Sequence, residues 1–119
     1  MSSGTRPSGA QDAQDAQVRG DRLEVAASVL ALLADRTRLA LMERLGRGEA
    51  DVTTLTEACG AARPSVSQHL AKLRLAGLVT ARKDGRRVVY ALRHGHLRRL
   101  VDEAMNVADH EIGSLPPHD

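Results

Sequence analysis

Histidine and carboxylate side chains gather towards the C-terminal end of this 119-residue sequence. Imidazole and carboxylate groups without thiolates are typical ligands of nickel, cobalt or zinc. His96 and His110 return to nearly the same face of a helix, but they lie roughly 21 Å apart along its axis. One helix therefore cannot bring both to a single ion, whereas two antiparallel copies can. The spacing predicts a dimer in which His96 of one chain meets Asp109 and His110 of the other, with His94 as a further candidate ligand.

The charges of the sequence are unevenly distributed, although the net charge is only +2. Residues 61–100 contain ten Lys or Arg and one acid, whereas residues 101–119 contain five acids and no Lys or Arg. A concentrated basic segment favours binding to phosphates. The acidic end would add a favourable potential for a cation.

Two short helices joined by a tight turn are predicted in the middle of the chain. The first spans Thr53–Cys59 and ends at Gly60. The second begins near Pro64, which a first helical turn accepts, and ends at Gly77. This arrangement is the helix-turn-helix pattern, in which the second helix reads DNA.

The second helix of this pair has a polar face with the side chains that a major groove requires. Glutamine pairs with adenine edges, and lysine finds phosphates. The predicted base-reading and phosphate-binding residues are Ser65, Ser67, Gln68 and Lys72. His69 lies beside the inward-facing positions, which predicts a structural role for it.

A β-hairpin follows the helix-turn-helix, because two strand-like segments flank Asp84-Gly85, a strong hairpin signal. Its basic tip predicts a wing that contacts DNA through Arg82, Lys83, Arg86 and Arg87. A charged tip that only keeps a sheet edge soluble is the alternative interpretation.

The remaining segments complete one predicted domain over residues 19–112. Residues 1–18 are predicted to form a disordered tail and residues 113–119 a flexible one. A helix from about Asp21 is apolar over most of its surface, which indicates burial against a partner subunit. Asp35 is predicted to cap the next helix, and a last helix is expected from Gly95 to Glu111.

Several classes of protein are excluded or disfavoured by the sequence. It shows neither a segment of about 18 apolar residues nor a signal peptide, and its single cysteine, Cys59, is compatible with a reducing cytoplasm. No nucleotide-binding glycine loop, nucleophile elbow or acid pair indicates an enzyme. One cysteine also disfavours a thiolate-rich metal site, so Cys59 is predicted to be a small buried residue.

Four segments in order resemble the ArsR/SmtB family of metal-responsive repressors. They are Leu32–Arg38, Pro64–Arg74, Gly77–Val79 and Asp84–Tyr90. The resemblance covers about residues 22 to 112 and implies a mainly α winged helix-turn-helix fold with a β-hairpin wing. It also implies a homodimer built from the first and last helices. Such a dimer would bind a palindromic operator in double-stranded DNA until an inducer weakens its hold.

Within that family, the last helix resembles that of the actinobacterial nickel and cobalt sensors. This resemblance implies a regulatory metal site formed by His96, Asp109, His110, His118 and Asp119. Asp109 and Asp119 depart from the pattern, which has Glu and His there, and Val107 occupies one ligand position of a related pattern. The expected ligand is Ni²⁺ or Co²⁺, with Zn²⁺ as the alternative.

Two other functions stay open at the level of the sequence. One is a dimeric winged-helix DNA-binding regulator with a non-metal signal or with no effector. The other is a protein-interaction module, which would show no salt-dependent binding to DNA.

Overall fold

A computed structural model of the chain describes residues 8–114, and these residues divide into two units at Leu33. The first unit is helix α1 (Ser8–Leu33). The second contains the remaining elements, which are α2 (Arg36–Leu45), β1 (Ala50–Asp51), α3 (Val52–Cys59), α4 (Arg63–Leu75), β2 (Val79–Asp84), β3 (Arg87–Leu92) and α5 (Gly95–Gly113). The predicted elements from the second helix onwards are therefore present in the expected order. No helix within residues 8–114 is long and apolar enough to cross a membrane.

Helix α1 begins at Ser8, whereas the sequence pattern predicted a start near Asp21, so the helix is longer than predicted. The prediction of a disordered tail is therefore wrong for residues 8–18, while residues 1–7 lie outside the described part. This segment has no apolar stripe, but alanine and glutamine are good helix formers. Gln11 also donates to Asp15 one turn later at 2.9 Å, a side-chain pairing that stabilises isolated helices.

Side chains and glycines fix the ends of the short helices. Asp35 caps α2 as predicted, since its carboxylate accepts the backbone N–H of Arg38 at 2.9 Å. Asp51 caps α3 in the same way. Gly60 ends α3 with a φ of 69°, in the left-handed region that favours glycine. Pro64 stands in the first turn of α4, where its missing N–H costs no helical hydrogen bond.

Strands β2 and β3 form the predicted hairpin, and β1 adds a third strand. The hairpin pairs Val79 with Leu92 at one end and Asp84 with Arg87 at the other, so its connection is Gly85–Arg86, one residue later than the predicted Asp84-Gly85. Gly85 has a φ of 66°, which a tight hairpin turn requires. Strand β1, which was not predicted, pairs with the other edge of β3 and gives the antiparallel order β1-β3-β2.

The core of the second unit is built from aliphatic side chains of every helix and of the sheet. Helix α2 lies at its centre and packs against α3, α4 and α5. The fully buried side chains are Leu41, Met42, Leu55, Leu70, Leu73, Val66 and Val101. Helix α4 contributes an apolar stripe to this core, which fixes the face that it presents to solvent.

Two leucines of α4 provide a test of this placement. Leu70 is fully buried, whereas Leu75 is 90% exposed. We expect Leu70→Ala to lower the free energy of unfolding by about 2–5 kcal/mol, because it leaves a cavity in the core. Leu75→Ala should change it by less than about 0.5 kcal/mol. Urea unfolding followed by circular dichroism measures both, and equal losses would contradict the placement of α4.

Candidate nucleic-acid interface and metal-ligating residues

Helix α4 separates an apolar face from a polar one. Val66, Leu70 and Leu73 are completely buried. The polar side chains predicted to read DNA lie on the rest of the helix, with Ser65 half-buried and Ser67, Gln68 and Lys72 exposed. Short polar groups and one cation on an exposed helix face allow close approach to base edges and phosphates.

A polar contact joins α4 to the beginning of α2. The Arg38 guanidinium lies 3.1 Å from His69 Nδ1, and His69 Nε2 lies 3.9 Å from the Asp35 carboxylate. Because arginine only donates, Nδ1 must accept, which places the ring proton on Nε2 towards Asp35. The backbone hydrogen bond from Arg38 holds the pKa of Asp35 below its ordinary value. The contact agrees with the structural role predicted for His69.

The wing residues are all exposed around the end of the β2–β3 hairpin, but they differ in their partners. Arg82 forms two hydrogen bonds with Glu49, at 2.6 and 2.8 Å. Arg87 Nε lies 3.1 Å from an Asp51 carboxylate oxygen. Within residues 8–114, neither Lys83 nor Arg86 lies at ion-pair distance from a carboxylate. The hydrogen bond from Arg82 lowers the pKa of Glu49, and the same contact raises the pKa of Arg82.

Glu49 and Asp51 are the residues of this region that the sequence analysis missed. They flank Ala50 in the segment that contains β1 and precedes α3. The sequence did contain a signal for the capping role of Asp51, because this residue directly precedes an amphipathic helix and aspartate is favoured at that position. The pairing with the wing arginines has no local signal, since Glu49 and Arg82 are 33 residues apart.

The predicted metal ligands lie on α5 or beyond it. His96, Asp109 and His110 are exposed along the helix, and His94 is the exposed residue that precedes it. His118 and Asp119 lie outside the described residues. No three His, Cys, Asp or Glu side chains of residues 8–114 come together in one chain as a metal site would require. Within residues 8–114 of one chain, these donors are therefore too far apart to hold a metal ion together.

His96 already has neighbours on its own chain. The Arg99 guanidinium lies 2.8 Å from His96 Nδ1, and the His94 ring packs edge-on at a centroid distance of 5.5 Å. With Nδ1 accepting from Arg99, the neutral ring carries its proton on Nε2. A metal at Nε2 would move that proton to Nδ1, and a metal at Nδ1 would take the position of Arg99. Metal binding at His96 therefore requires Arg99 to move.

Cys59 is half-buried at the end of α3, and its Sγ lies 3.8 Å from the Thr56 carbonyl oxygen. This is a local contact within one helical turn. The prediction of a small buried residue is therefore wrong in its burial, because the side chain of Cys59 is partly exposed.

The model of the bacterial regulatory protein arsR family matches residues 35–81, which contain the helix-turn-helix and the start of the wing. The transcriptional regulator KmtR of Mycobacterium tuberculosis is 42% identical over 98 residues, covering 82% of this chain and 75% of KmtR. The regulator NmtR of the same organism is 40% identical over 84 residues, covering 71% of this chain and 70% of NmtR.

Among solved structures, a homodimeric winged helix-turn-helix DNA-binding domain from Mycobacterium bovis superimposes with a TM-score of 0.71. The two sequences are 30% identical, and the match covers 85% of this chain and 94% of that domain. The predicted winged helix-turn-helix fold is thereby confirmed.

Asp51 provides a pH-dependent test of the joint between α3 and the wing. Hydrogen bonds from Thr54 lower its pKa, as does the charge of Arg87. Its ionised form therefore stabilises the fold above the unfolded-state value of about 3.9, and this contribution is lost as the pH falls through the lower folded-state pKa.

We expect Asp51→Asn, which keeps the capping hydrogen bond, to lose less stability than the wild type as the medium is acidified through this range. Asp51→Ala removes cap and charge together and should be the least stable of the three at neutral pH. Urea unfolding at a series of pH values measures this. Parallel stability curves for wild type and Asp51→Asn would contradict a stabilising charge at Asp51.

Proposed function

The chain belongs to the arsR family of bacterial regulatory proteins, and from this premise we propose that it is a metal-responsive transcriptional repressor. In this proposal a homodimer binds a palindromic operator, and a metal ion on α5 releases it. The observation that carries the DNA-binding part is α4, whose buried stripe fixes a solvent face of small polar and basic side chains.

The DNA contacts follow from the positions of these side chains. Ser67 and Gln68 are exposed at the N-terminal part of α4, which is the part of a recognition helix that meets base edges. Lys72 lies one turn further on and is suited to a phosphate. Ser65 is half-buried near the start of the helix and would hydrogen-bond at its edge. The basic wing adds cations beside the helix, so that one subunit covers a groove and the adjacent backbone.

Exposed apolar side chains on the first and last helices support dimerisation. They are Val18, Leu23, Val25 and Leu30 on α1, and Leu100, Val107 and Ile112 on α5. Apolar residues of this size on each of these helices, taken by itself, indicate a face that a partner covers. A homodimeric domain of the same fold adds support. Two recognition helices would then read half-sites about 34–36 Å apart, one turn of DNA.

The chemistry of the side chains on α5 supports a metal as the signal. His96, Asp109 and His110 offer imidazole and carboxylate donors, which suit nickel or cobalt, with zinc as the alternative. Because a single chain assembles no such site within residues 8–114, each ion would join His96 of one subunit to Asp109 and His110 of the partner. His118 and Asp119 would complete the coordination, and His94 is the further candidate ligand.

Release would follow from a difference in metal affinity between two dimer arrangements. A ligand shifts an equilibrium only by its differential affinity for the two states. An ion bridging the paired α5 helices favours the arrangement in which its ligands meet. If that arrangement spaces the two α4 helices wrongly for successive grooves, metal and DNA bind with negative coupling.

The alternative is a DNA-binding regulator of the same family with a non-metal signal or with no effector. The contact between Arg99 and His96 favours it, because it gives this imidazole a partner without any metal. Titration of Ni²⁺, Co²⁺ and Zn²⁺ into the protein–operator complex distinguishes the two functions. Unchanged DNA affinity with all three ions would favour the alternative.

Gln68 and Lys72 provide a test of the recognition helix. The operator is first selected from a pool of random duplexes, and a duplex of unrelated sequence is the control. We expect Lys72→Gln to weaken binding to both duplexes and to lower the salt dependence by about one phosphate contact per subunit. Gln68→Ala should weaken binding to the operator by about 1–3 kcal/mol per base contact and leave the control duplex unaffected.

These affinities are measured by fluorescence anisotropy over a series of salt concentrations. Equal losses on both duplexes for Gln68→Ala would contradict base reading by this residue. Binding that does not depend on salt even for the wild type would contradict DNA binding altogether.

Complementation between subunits provides a test of the metal site. His96→Ala and His110→Ala homodimers should both fail to bind Co²⁺, because every site lacks one ligand. A mixed dimer of the two variants regains one intact site, in which His96 comes from one chain and His110 from the other. We expect about one Co²⁺ per mixed dimer, against about two for the wild type, from the symmetry of the dimer.

Cobalt absorption spectra of differently tagged, purified mixed dimers measure this stoichiometry. A site contained within one chain predicts no recovery, because every chain of the mixed dimer lacks a ligand. His69→Gln, which alters a histidine away from α5, is the control and should retain full Co²⁺ binding.

A further inference from the structure

Two acidic residues before α3 hold two of the four basic residues of the wing. Glu49 forms a two-pronged pair with Arg82, and Asp51 pairs with Arg87. Neither Lys83 nor Arg86 has a carboxylate at ion-pair distance in the part of the chain that the structure describes. Within residues 8–114, the wing therefore contains two cations that have a carboxylate partner and two that have none.

The pleat of the sheet explains this division. Residues directly opposite each other on neighbouring strands share a face, and successive residues alternate between faces. Asp51 and Arg82 both lie opposite Val89, so all three are on one face of the sheet. Arg87, two residues before Val89, shares this face, whereas Lys83 lies on the other.

The remaining cation, Arg86, lies in the hairpin connection beyond the paired residues. Glu49 and Asp51 lie in the segment of β1, which runs beside Val89 and Tyr90 of β3, whereas the acid of the hairpin itself, Asp84, lies opposite Arg87. Strand pairing thus brings Arg82 and Arg87 to the carboxylates and leaves Lys83 and Arg86 away from them.

We propose that Glu49 and Asp51 are positioning residues that fix the wing to the helix-turn-helix and keep Arg82 and Arg87 from binding phosphates. Lys83 and Arg86 are then the phosphate contacts of the wing. This inference rests on the proposed function, because it assigns roles within the DNA-binding surface, and it separates the wing residues that the sequence pattern grouped together.

Exposed ion pairs are weak in general, but the pair of Arg82 with Glu49 has the favourable two-pronged geometry, whereas Arg87 meets Asp51 through Nε. A guanidinium that meets a carboxylate with two parallel hydrogen bonds is the strongest form of such a pair. A phosphate that captured Arg82 would also leave the Glu49 carboxylate without its partner, close to the negatively charged backbone. The Glu49 carboxylate and the DNA phosphates would repel each other, so it is unfavourable for Arg82 to leave Glu49 and bind a phosphate.

The salt dependence of DNA binding distinguishes the two kinds of cation. Each phosphate contact contributes about 0.9 to the slope of log affinity against log salt concentration. We expect Arg86→Gln to lower this slope by roughly 1.8 per dimer, since each subunit loses one contact. Arg82→Gln should leave the slope unchanged. The probe is a duplex of mixed sequence, because phosphate contacts do not depend on the operator.

Removal of the Glu49 carboxylate should change the slope in the opposite direction, and this result is more specific to the proposed ion pair. Glu49→Gln frees Arg82 to reach a phosphate, so the slope should increase by up to the same amount and binding to the mixed-sequence duplex should tighten. Glu57→Gln, an exposed acid of α3 without an ion-pair partner in residues 8–114, is the control for net charge and should not change the slope. The double variant Glu49→Gln/Arg82→Gln should return to the wild-type slope.

A lower slope for Arg82→Gln, equal to that of Arg86→Gln, would overturn the inference, as would an unchanged slope for Glu49→Gln. The double variant Glu49→Gln/Arg82→Gln is the control for a displacement of the wing, because its two amide side chains can form hydrogen bonds in place of the ion pair. A wild-type protein whose binding is insensitive to salt would contradict the proposed function itself. Salt-sensitive binding with a slope loss in Arg82→Gln contradicts only the division among the wing residues.

Discussion

One carboxylate, that of Asp51, joins the helix-turn-helix to the wing, and the DNA-facing surface depends on it. One oxygen accepts the backbone N–H of Thr54 at 2.9 Å and begins α3. The other meets Arg87 on β3, while the Asp51 backbone pairs with Val89 of the same strand. A helix start, a strand pairing and an ion pair therefore meet at one residue. Because α3 packs against α4, this joint also determines where the wing lies relative to the recognition helix.

The second constraint is that α4 must be held firmly by one face and leave the other free. Val66, Leu70 and Leu73 meet the first requirement without any exposed area. Arg38 adds a polar contact to His69 at the edge of the same stripe. The free face carries Ser67, Gln68 and Lys72, polar side chains that can exchange their water for hydrogen bonds to base edges and phosphates in a groove. A helix with aliphatic side chains on both faces would pack against the core equally well, but its exposed face would interact poorly with DNA.

The features that the sequence predicted are those with local causes. Asp35 caps the residue three positions later, Gly60 supplies a left-handed φ, and Asp84-Gly85 marks a tight hairpin. Two-residue β1 escaped prediction because it is too short to show a period, and it forms only because β3 offers a free edge. The pairing of Glu49 with Arg82 depends on that strand, so a sequence pattern that groups basic residues cannot separate Arg82 and Arg87 from the cations that have no carboxylate partner within residues 8–114.

Helix α1 shows the opposite case, because its first residues form a helix without the apolar stripe from which helices are predicted. The prediction required an apolar stripe, and residues 8–18 have none, yet helix propensity and one-turn side-chain pairs are local causes as well. The metal site could be predicted only as a set of residue types. The proposed site is shared between subunits, so it would leave no cluster in the described residues of one chain, and its geometry would depend on a dimer rather than on this fold alone.

The position of α2 limits how a ligand on α5 could act on DNA. Helix α2 packs against both α5 and α4, and its Leu41 and Met42 are completely buried between them and the rest of the core. A close-packed interior of this kind transmits displacement but resists deformation. A bound ion on α5 would therefore move α2 and α4 together with it, as one body. The spacing between the two recognition helices then changes only through rotation of one subunit against the other, which is a recognised form of switching. In the proposed function, the control of DNA binding would then lie at the subunit contact, and an ion held by ligands from both chains would act on that contact directly.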